Sequence, residues 1–188
     1  MGPVTILEYH REVADACPLP YMIYNNPTVT AGIDLDSNLI SSLDTHPNIV
    51  GTKLSCGYMC KIDRLSSSYQ TSFATIGRKS DVHLHTHLSG GAGTIAALVN
   101  IVPKVHIETY KMFLENQKTK DVRLLEEAYS LQEKLSMADW TMVKIGAVGG
   151  VEAIVAQESG YGNGNEKVGL PLREVNLGVV VQSEQGAK

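Results

Sequence analysis

The chain has 188 residues and 43% hydrophobic content, enough for a buried core and too apolar for a disordered chain. Its formal net charge of −4 leaves no electrostatic footprint for nucleic acid, and no apolar run is long enough to span a membrane. Cys17, Cys56 and Cys60 are an odd set without disulfide-framework or redox-motif spacing. The start Met-Gly-Pro-Val-Thr-Ile lacks the regions of a signal peptide and the myristoylation pattern. These features point to a reducing compartment, cytoplasmic, or mitochondrial if a segment precedes Met1.

In chain order, Ile6, Tyr9, Val13 and Ala16 recur at helical spacing, and Pro18 and Pro20 end that helix. A short strand, Tyr21 to Tyr24, follows. Asp36 is placed to cap a helix carrying Leu39, Ile40 and Leu43, which Pro47 closes. The next stretch, Asn48 to Gly57, reads as an apolar strand with β-branched Ile49 and Val50, delivering Lys53 to its C-terminal end. Gly51 allows backbone or ligand to come close. Met59, Ile62 and Leu65 mark a short helix, Ser72 to Ile76 a third strand, Asp81 to Leu88 a helix, and Thr94 to Val99 a fourth strand. Strands alternating with helices predict βαβ units and a parallel sheet. Beyond Asn100 the pattern becomes helical. Pro103 suits a first turn running to about Leu114, then Lys120 to Met137 and Trp140 to about Gln157. Gly146, Gly149 and Gly150 weaken the last helix unless close packing offsets them. Gly160 to Asn165 reads as a loop, and the tail carries little pattern.

Lys53 sits among residues that offer no counter-charge. A lysine held there loses solvation, and its neutral amine can attack a carbonyl. The plainer reading is an edge-strand lysine that snorkels to water. Tyr24, at the end of the preceding strand, reads by itself as a half-buried core tyrosine.

Three ordered stretches carry a resemblance: Tyr24-Asn25-Asn26-Pro27, Gly51-Thr52-Lys53, and Gly90-Gly91-Ala92-Gly93-Thr94-Ile95, continued by Asn100 and Pro103. Together the chain resembles the dihydrodipicolinate synthase / N-acetylneuraminate lyase family of pyruvate-dependent class I aldolases. Lys53-Leu54-Ser55-Cys56-Gly57 is most similar to the branch that acts on 4-hydroxy-2-oxoglutarate or 2-keto-3-deoxy sugar acids. The resemblance implies a (β/α)8 barrel, of which this chain holds the C-terminal half with four parallel strands. It divides the chain into residues 1–102, the half-barrel, and 103–188, a C-terminal helical extension and tail. Two strand edges are then left unpaired.

The resemblance also implies roles. Lys53 would form a Schiff base with a 2-oxo acid, and Tyr24 would move a proton at the substrate hydroxyl. Ser55 and the backbone carbonyl of Ile95 would bind substrate, although Ser55 by itself could equally be a turn serine bonding its own backbone. The iminium is the electron sink, so no cofactor and no metal is implied. The expected partner is a small-molecule 2-oxo acid, with a homo-oligomer in the full-length form. His83, His85 and His87 resemble metal ligands at first sight, but no glutamate stands between His83 and His87 as in a zinc-protease motif. Arg78 and Lys79 replace the small or acidic residues common in the family, a basic pair that could favour an acidic or phosphorylated substrate. The family's Gly-Thr-Thr-Gly-Glu stretch, which cradles the pyruvyl carboxylate, is not in this chain, nor is the tyrosine that follows the fourth barrel strand. Lys53 and Tyr24 without that cradle should be a poor catalyst. The rival reading is a half-barrel that acts only as an interaction partner.

Overall fold

The computed structural model describes residues 2–68, 73–146 and 148–161. The described chain clusters into two units, one formed by residues 1–78 and 82–95, the other by residues 79–81 and 96 onward.

The first unit opens with α1 (Pro3–Ala16), whose proline occupies the first turn where no amide donor is needed. Its C-terminal carbonyls are collected by one side chain. Asn48 Nδ2 lies 2.8 Å from the Ala14 oxygen, 2.9 Å from that of Cys17 and 3.0 Å from that of Leu19. Helix ends leave such carbonyls without partners, so Asn48 completes α1 from the foot of another element. After β1 (Tyr21–Asn25), the Asp36 carboxylate accepts from Leu39 N at 2.8 Å and starts α2 (Ser37–Asp44) as expected. Then come β2 (Ile49–Leu54), α3 (Met59–Ser68), β3 (Ala74–Gly77), α4 (His83–Leu88) and β4 (Gly93–Thr94). Of the third strand predicted over Ser72–Ile76, Ser72 lies outside the described residues.

The four strands are parallel and ordered β1-β2-β3-β4, half the complement of a (β/α)8 barrel. Side chains alternate across a strand, and the two faces differ sharply. Ile23, Asn25, Thr52, Leu54 and Thr75 are buried, the apolar ones in a core with Ile6, Leu39, Ile40, Leu43, Ile62 and Leu65. The row Met22, Tyr24, Lys53, Ala74 and Ile76 stays half-buried or exposed, Tyr24 at 47%. Gly51 stands in that row because β3 runs too close for a side chain. A Cβ there would collide with the Ala74 carbonyl oxygen.

The predicted fourth strand over Thr94–Val99 is corrected. Pairing ends after Ile95, whose amide donates to the Gly77 oxygen at 3.0 Å, and Ala97–Asn100 form a 3-10 turn. A short apolar run does not by itself separate strand from helix. Here Leu98 is buried in the core of the second unit, with Leu135, Met142, Ile145 and Val151.

In the second unit α5 (Pro103–Thr119) runs past the expected end at Leu114. The helix α6 (Val122–Lys144) continues through Met137 and Trp140, where a break was expected. Nothing between those residues interrupts a helix. The first breaker is Gly146, at φ 91°, and α7 (Val148–Ser159) follows it. Gly150 supports close packing, since a Cβ there would lie 2.6 Å from Ile145 Cγ1. The unit also holds a polar node around Ser80, which is fully buried. Ser80 N donates to Asp139 Oδ1 at 3.1 Å, Gln132 Nε2 donates to the Ser80 oxygen at 2.9 Å, and Ser80 Oγ lies 2.8 Å from His106 Nε2. His106 Nδ1 faces the Val102 carbonyl at 2.8 Å, so Nδ1 carries the proton and Nε2 accepts from the serine. No helix among the described residues is long and apolar enough to cross a membrane.

Candidate active site

The C-terminal ends of β1 and β2 bring the two expected residues side by side. Tyr24 and Lys53 are register partners on adjacent parallel strands. The Lys53 ammonium lies 4.8 Å from the centroid of the Tyr24 ring, a cation–π distance. Among the described residues no carboxylate pairs with Lys53. The tyrosine hydroxyl is itself held, accepting from Asn26 Nδ2 at 3.1 Å. Asn26 is oriented in turn by Thr28, whose hydroxyl donates to Asn26 Oδ1 at 2.6 Å.

Ser55 begins the turn after β2. Its amide donates to the Asn25 carbonyl at 2.8 Å. Its hydroxyl is buried and has no hydrogen-bond partner among the described residues, a state that costs about 1–3 kcal/mol when nothing else occupies the site. Ile95 lies at the far side of the sheet, just beyond β4, and is 49% exposed. The lysine, the tyrosine and the serine thus cluster on β1 and β2, with Ile95 two strands away.

A cavity of about 500 Å³ opens beside β1, lined by Ile6, His10, Tyr21, Met22, Tyr24 and Ile33 among others. Lys53 does not line it. His10 Nδ1 and the Tyr21 hydroxyl share a hydrogen bond at 2.8 Å. Burial holds His10 below the ordinary histidine range. It pushes Tyr21 up, with smaller contributions from Tyr9 and Cys17.

Of the α4 histidines, His83 and His87 are buried and His85 is exposed. His83 Nδ1 lies 3.3 Å from Thr94 Oγ1, and the His83 and His87 rings meet edge to face at 5.0 Å. Burial lowers the His87 pKa, partly countered by its hydrogen bond to the Gly91 backbone. No group of three metal-ligating side chains is placed to hold an ion among the described residues. Lys79, read from sequence as part of a substrate-facing basic pair, lies 3.8 Å from Asp81.

Sequence reasoning missed a buried ionic group behind the site. Lys61, on α3, is 4% exposed. Its ammonium donates to Asp34 Oδ1 at 2.6 Å and to the Leu35 carbonyl at 2.7 Å. Asn25 Nδ2 donates to the same carboxylate oxygen at 2.8 Å, and Asn25 Oδ1 accepts from Leu35 N at 3.0 Å. Burial alone would raise the Asp34 pKa. The hydrogen bonds from Lys61 and Asn25, with the Lys61 charge, outweigh it and hold the carboxyl below its ordinary value. The available signal was Lys61 one residue before Ile62 and four before Leu65, on the helix side facing the core.

The profile of the Dihydrodipicolinate synthetase family matches residues 3–161. Over 162 residues the chain is 39% identical to a protein of Emericella nidulans named probable 4-hydroxy-2-oxoglutarate aldolase, mitochondrial, covering 86% of this chain and 50% of that one. It is 33% identical over 192 residues to L-threo-3-deoxy-hexylosonate aldolase of Hypocrea jecorina, covering 98% and 58% of the two. In fold it is similar to the Ruminococcus gnavus sialic acid aldolase, at a TM-score of 0.83 and 19% identity, covering 100% of this chain and 61% of that one. The chain therefore spans about half the length of the curated relatives it matches. With the family profile running from α1 through α7 and the parallel half-barrel beneath it, this chain belongs to the dihydrodipicolinate synthetase family.

Proposed function

We propose that this chain carries the Schiff-base lysine and the proton-transferring tyrosine of a class I aldolase that cleaves 4-hydroxy-2-oxo acids. One observation carries the reading. Lys53 and Tyr24 meet at the ends of adjacent strands, amine over ring, with no carboxylate against the amine among the described residues. An amine with no carboxylate against it is not tied up in an ion pair, and in its neutral form it can attack carbon. The buried, unpartnered Ser55 hydroxyl supports a substrate contact at the same end of β2. The substrate class rests on the names of the Emericella and Hypocrea relatives, and on the Lys-x-Ser-x-Gly turn at Lys53.

In this reading Lys53 Nζ adds to the keto carbon, water leaves, and an iminium forms. Tyr24 takes the proton from the C4 hydroxyl as the C3–C4 bond breaks. The bond's electrons move into the enamine and an aldehyde departs. The proton then returns to C3, and water hydrolyses the iminium to release the 2-oxo acid and the amine. The Ile95 carbonyl is proposed as a further substrate contact. The Emericella relative's name includes the mitochondrion, which favours that compartment over the cytoplasm. The helix start at Pro103 supports dividing the chain near residue 102 into barrel half and helical extension.

The test is borohydride trapping. The chain is incubated with pyruvate and reduced, and its peptides are weighed by mass spectrometry. The adduct is expected on the Lys53 peptide and is lost in Lys53→Ala. Its yield is low for the chain alone, which does not contain the Gly-Thr-Thr-Gly-Glu cradle. Tyr24→Phe still forms the imine but loses roughly 10²-fold or more in aldol cleavage. If a complementary half-barrel from a relative is supplied and no adduct forms, the aldolase reading fails and the interaction-partner reading replaces it.

A further inference from the structure

We propose that Lys61 is a positioning residue for this site: a buried ammonium that, through Asp34 and Asn25, fixes where Tyr24, Asn26 and Ser55 present their polar atoms. The proposal rests on the aldolase reading for what those atoms do, and on geometry alone for where they are held. Lys61 satisfies the Asp34 carboxylate and the Leu35 carbonyl, and its ammonium lies 5.8 Å from the Tyr58 ring centroid. Asp34 binds Asn25 through the oxygen that Lys61 also holds. Asn25 is 1% exposed and touches three parts of the site at once. Its side chain anchors the returning loop at Leu35, its carbonyl receives the Ser55 amide, and its two chain neighbours are Tyr24 and Asn26.

The loop between Asn26 and Leu35 is hydrogen-bonded largely within itself, while Ile33 packs against the core. Thr30 Oγ1 donates to the Asn26 carbonyl at 3.1 Å and to the Ile33 carbonyl at 2.9 Å, and Gly32 N donates to the Pro27 carbonyl at 2.9 Å. Its polar anchorage to β1 lies at its two ends. Both ends meet in the Asn25–Asp34–Leu35 cluster that Lys61 closes. A buried ammonium and amide joined through one partly exposed carboxylate hold one geometry only while the charge is answered. Without Lys61, Asp34 turns to solvent, Asn25 loses its partner, and Asn26 no longer has a fixed place from which to reach the Tyr24 hydroxyl.

The test uses the full chain labelled with 13Cζ-tyrosine and 15N. In Lys61→Met the Tyr24 13Cζ signal and the Asn26 side-chain amide signals should move or broaden by more than a line width. The Tyr21 signal, held by His10 outside the network, should stay in place. Asp34→Asn is isosteric and partly solvent-exposed, and should move the same two signals, covering the case in which Lys61→Met does not fold. Unmoved Tyr24 and Asn26 signals in whichever variants fold overturn the proposal. So does failure of both to fold, which would make the pair a purely structural element. With the complementary half-barrel supplied, Lys61→Met should keep pyruvate trapping on Lys53 within about twofold. It should lower kcat for 4-hydroxy-2-oxoglutarate cleavage roughly tenfold with little change in KM, the scale of a displaced proton-transfer group. Equal losses in trapping and cleavage also overturn it. If the unsubstituted protein fails to trap pyruvate, the aldolase reading falls while the two signals still decide the role of Lys61.

Discussion

Lys53 and Lys61 are separated by one turn and the start of one helix, yet the fold treats them in opposite ways. Lys61 is taken out of water and given a carboxylate at 2.6 Å and a carbonyl at 2.7 Å. Lys53 is left on the uncovered face of the sheet with an aromatic ring and no anion among the described residues. The difference shows how one fold separates a lysine used for structure from one available for chemistry. The Lys61 ammonium is tied to a carboxylate and a carbonyl and cannot leave them without stranding both, while Lys53 faces a ring at a strand end where a small molecule can reach it.

Exchanging each lysine for methionine breaks the comparison most directly. Lys61→Met should cost about 3 kcal/mol, because it leaves Asp34 and the Leu35 carbonyl without their donor. Lys53→Met should change stability by no more than about 0.5 kcal/mol, since it removes no buried partner. Urea melts of the two variants decide it, and equal losses would erase the distinction.

A smaller effect is expected at Gly51. Gly51→Ala forces a methyl group against the Ala74 carbonyl and should cost about 1–3 kcal/mol by pushing β2 from β3. If the strands separate there, Lys53 moves relative to Tyr24, and pyruvate trapping falls together with stability. A fully stable Gly51→Ala protein would show that the two strands have room to spare.

The smallest effect sharpens the comparison through pH. His10 and His87 have pKa values held below 6.5 in the fold, so the unfolded chain binds their protons first. Their contribution is complete above the ordinary histidine value and declines as pH falls below it. The Asp34 pKa is depressed below 3.8, so its contribution is complete above that value and is lost as pH falls further toward its folded pKa. Stability should therefore decline in two stages. In Lys61→Met the second stage should shrink, because the depression of Asp34 depends on Lys61. Melting temperatures across mildly to strongly acidic buffers would show neither stage if these groups behave as in the unfolded chain.

Much of this was legible from the residues. The existence of β1 and β2, the cap at Asp36 and the buried face of α3 follow from local patterns that a sequence displays directly, although β2 ends at Leu54, short of the Gly57 expected. So does the pairing of Tyr24 with Lys53, once both strands are known to be parallel neighbours. The parts that escaped are those in which a polar residue is satisfied by a distant one. Asn48 reads from the sequence as the start of a strand, and nothing in the local pattern singles out a partner for Lys61 or Ser80. Each is defined by a partner far along the chain that periodicity does not encode. The misplaced fourth strand and the late end of α6 have another cause. Apolar runs such as Ala96 to Val99 read alike as strand or helix turn, and the neighbouring structure decides.

Asn48 has a consequence for how this lineage can vary. Its single amide group gathers three carbonyls from the end of α1 and the approach to β1, and so fixes the length of that connection. An inserted or deleted residue between Ala14 and Leu19 would pull at least one carbonyl out of reach. The loop from Asn26 to Leu35, at the opposite end of β1, is clasped by Thr30 only to itself, through the Asn26 and Ile33 carbonyls, rather than to the end of a helix. Length variation among homologues should therefore accumulate at the end of the strands that carries Lys53 and Tyr24. The other end should keep its spacing, so that substrate range can drift without loosening the frame.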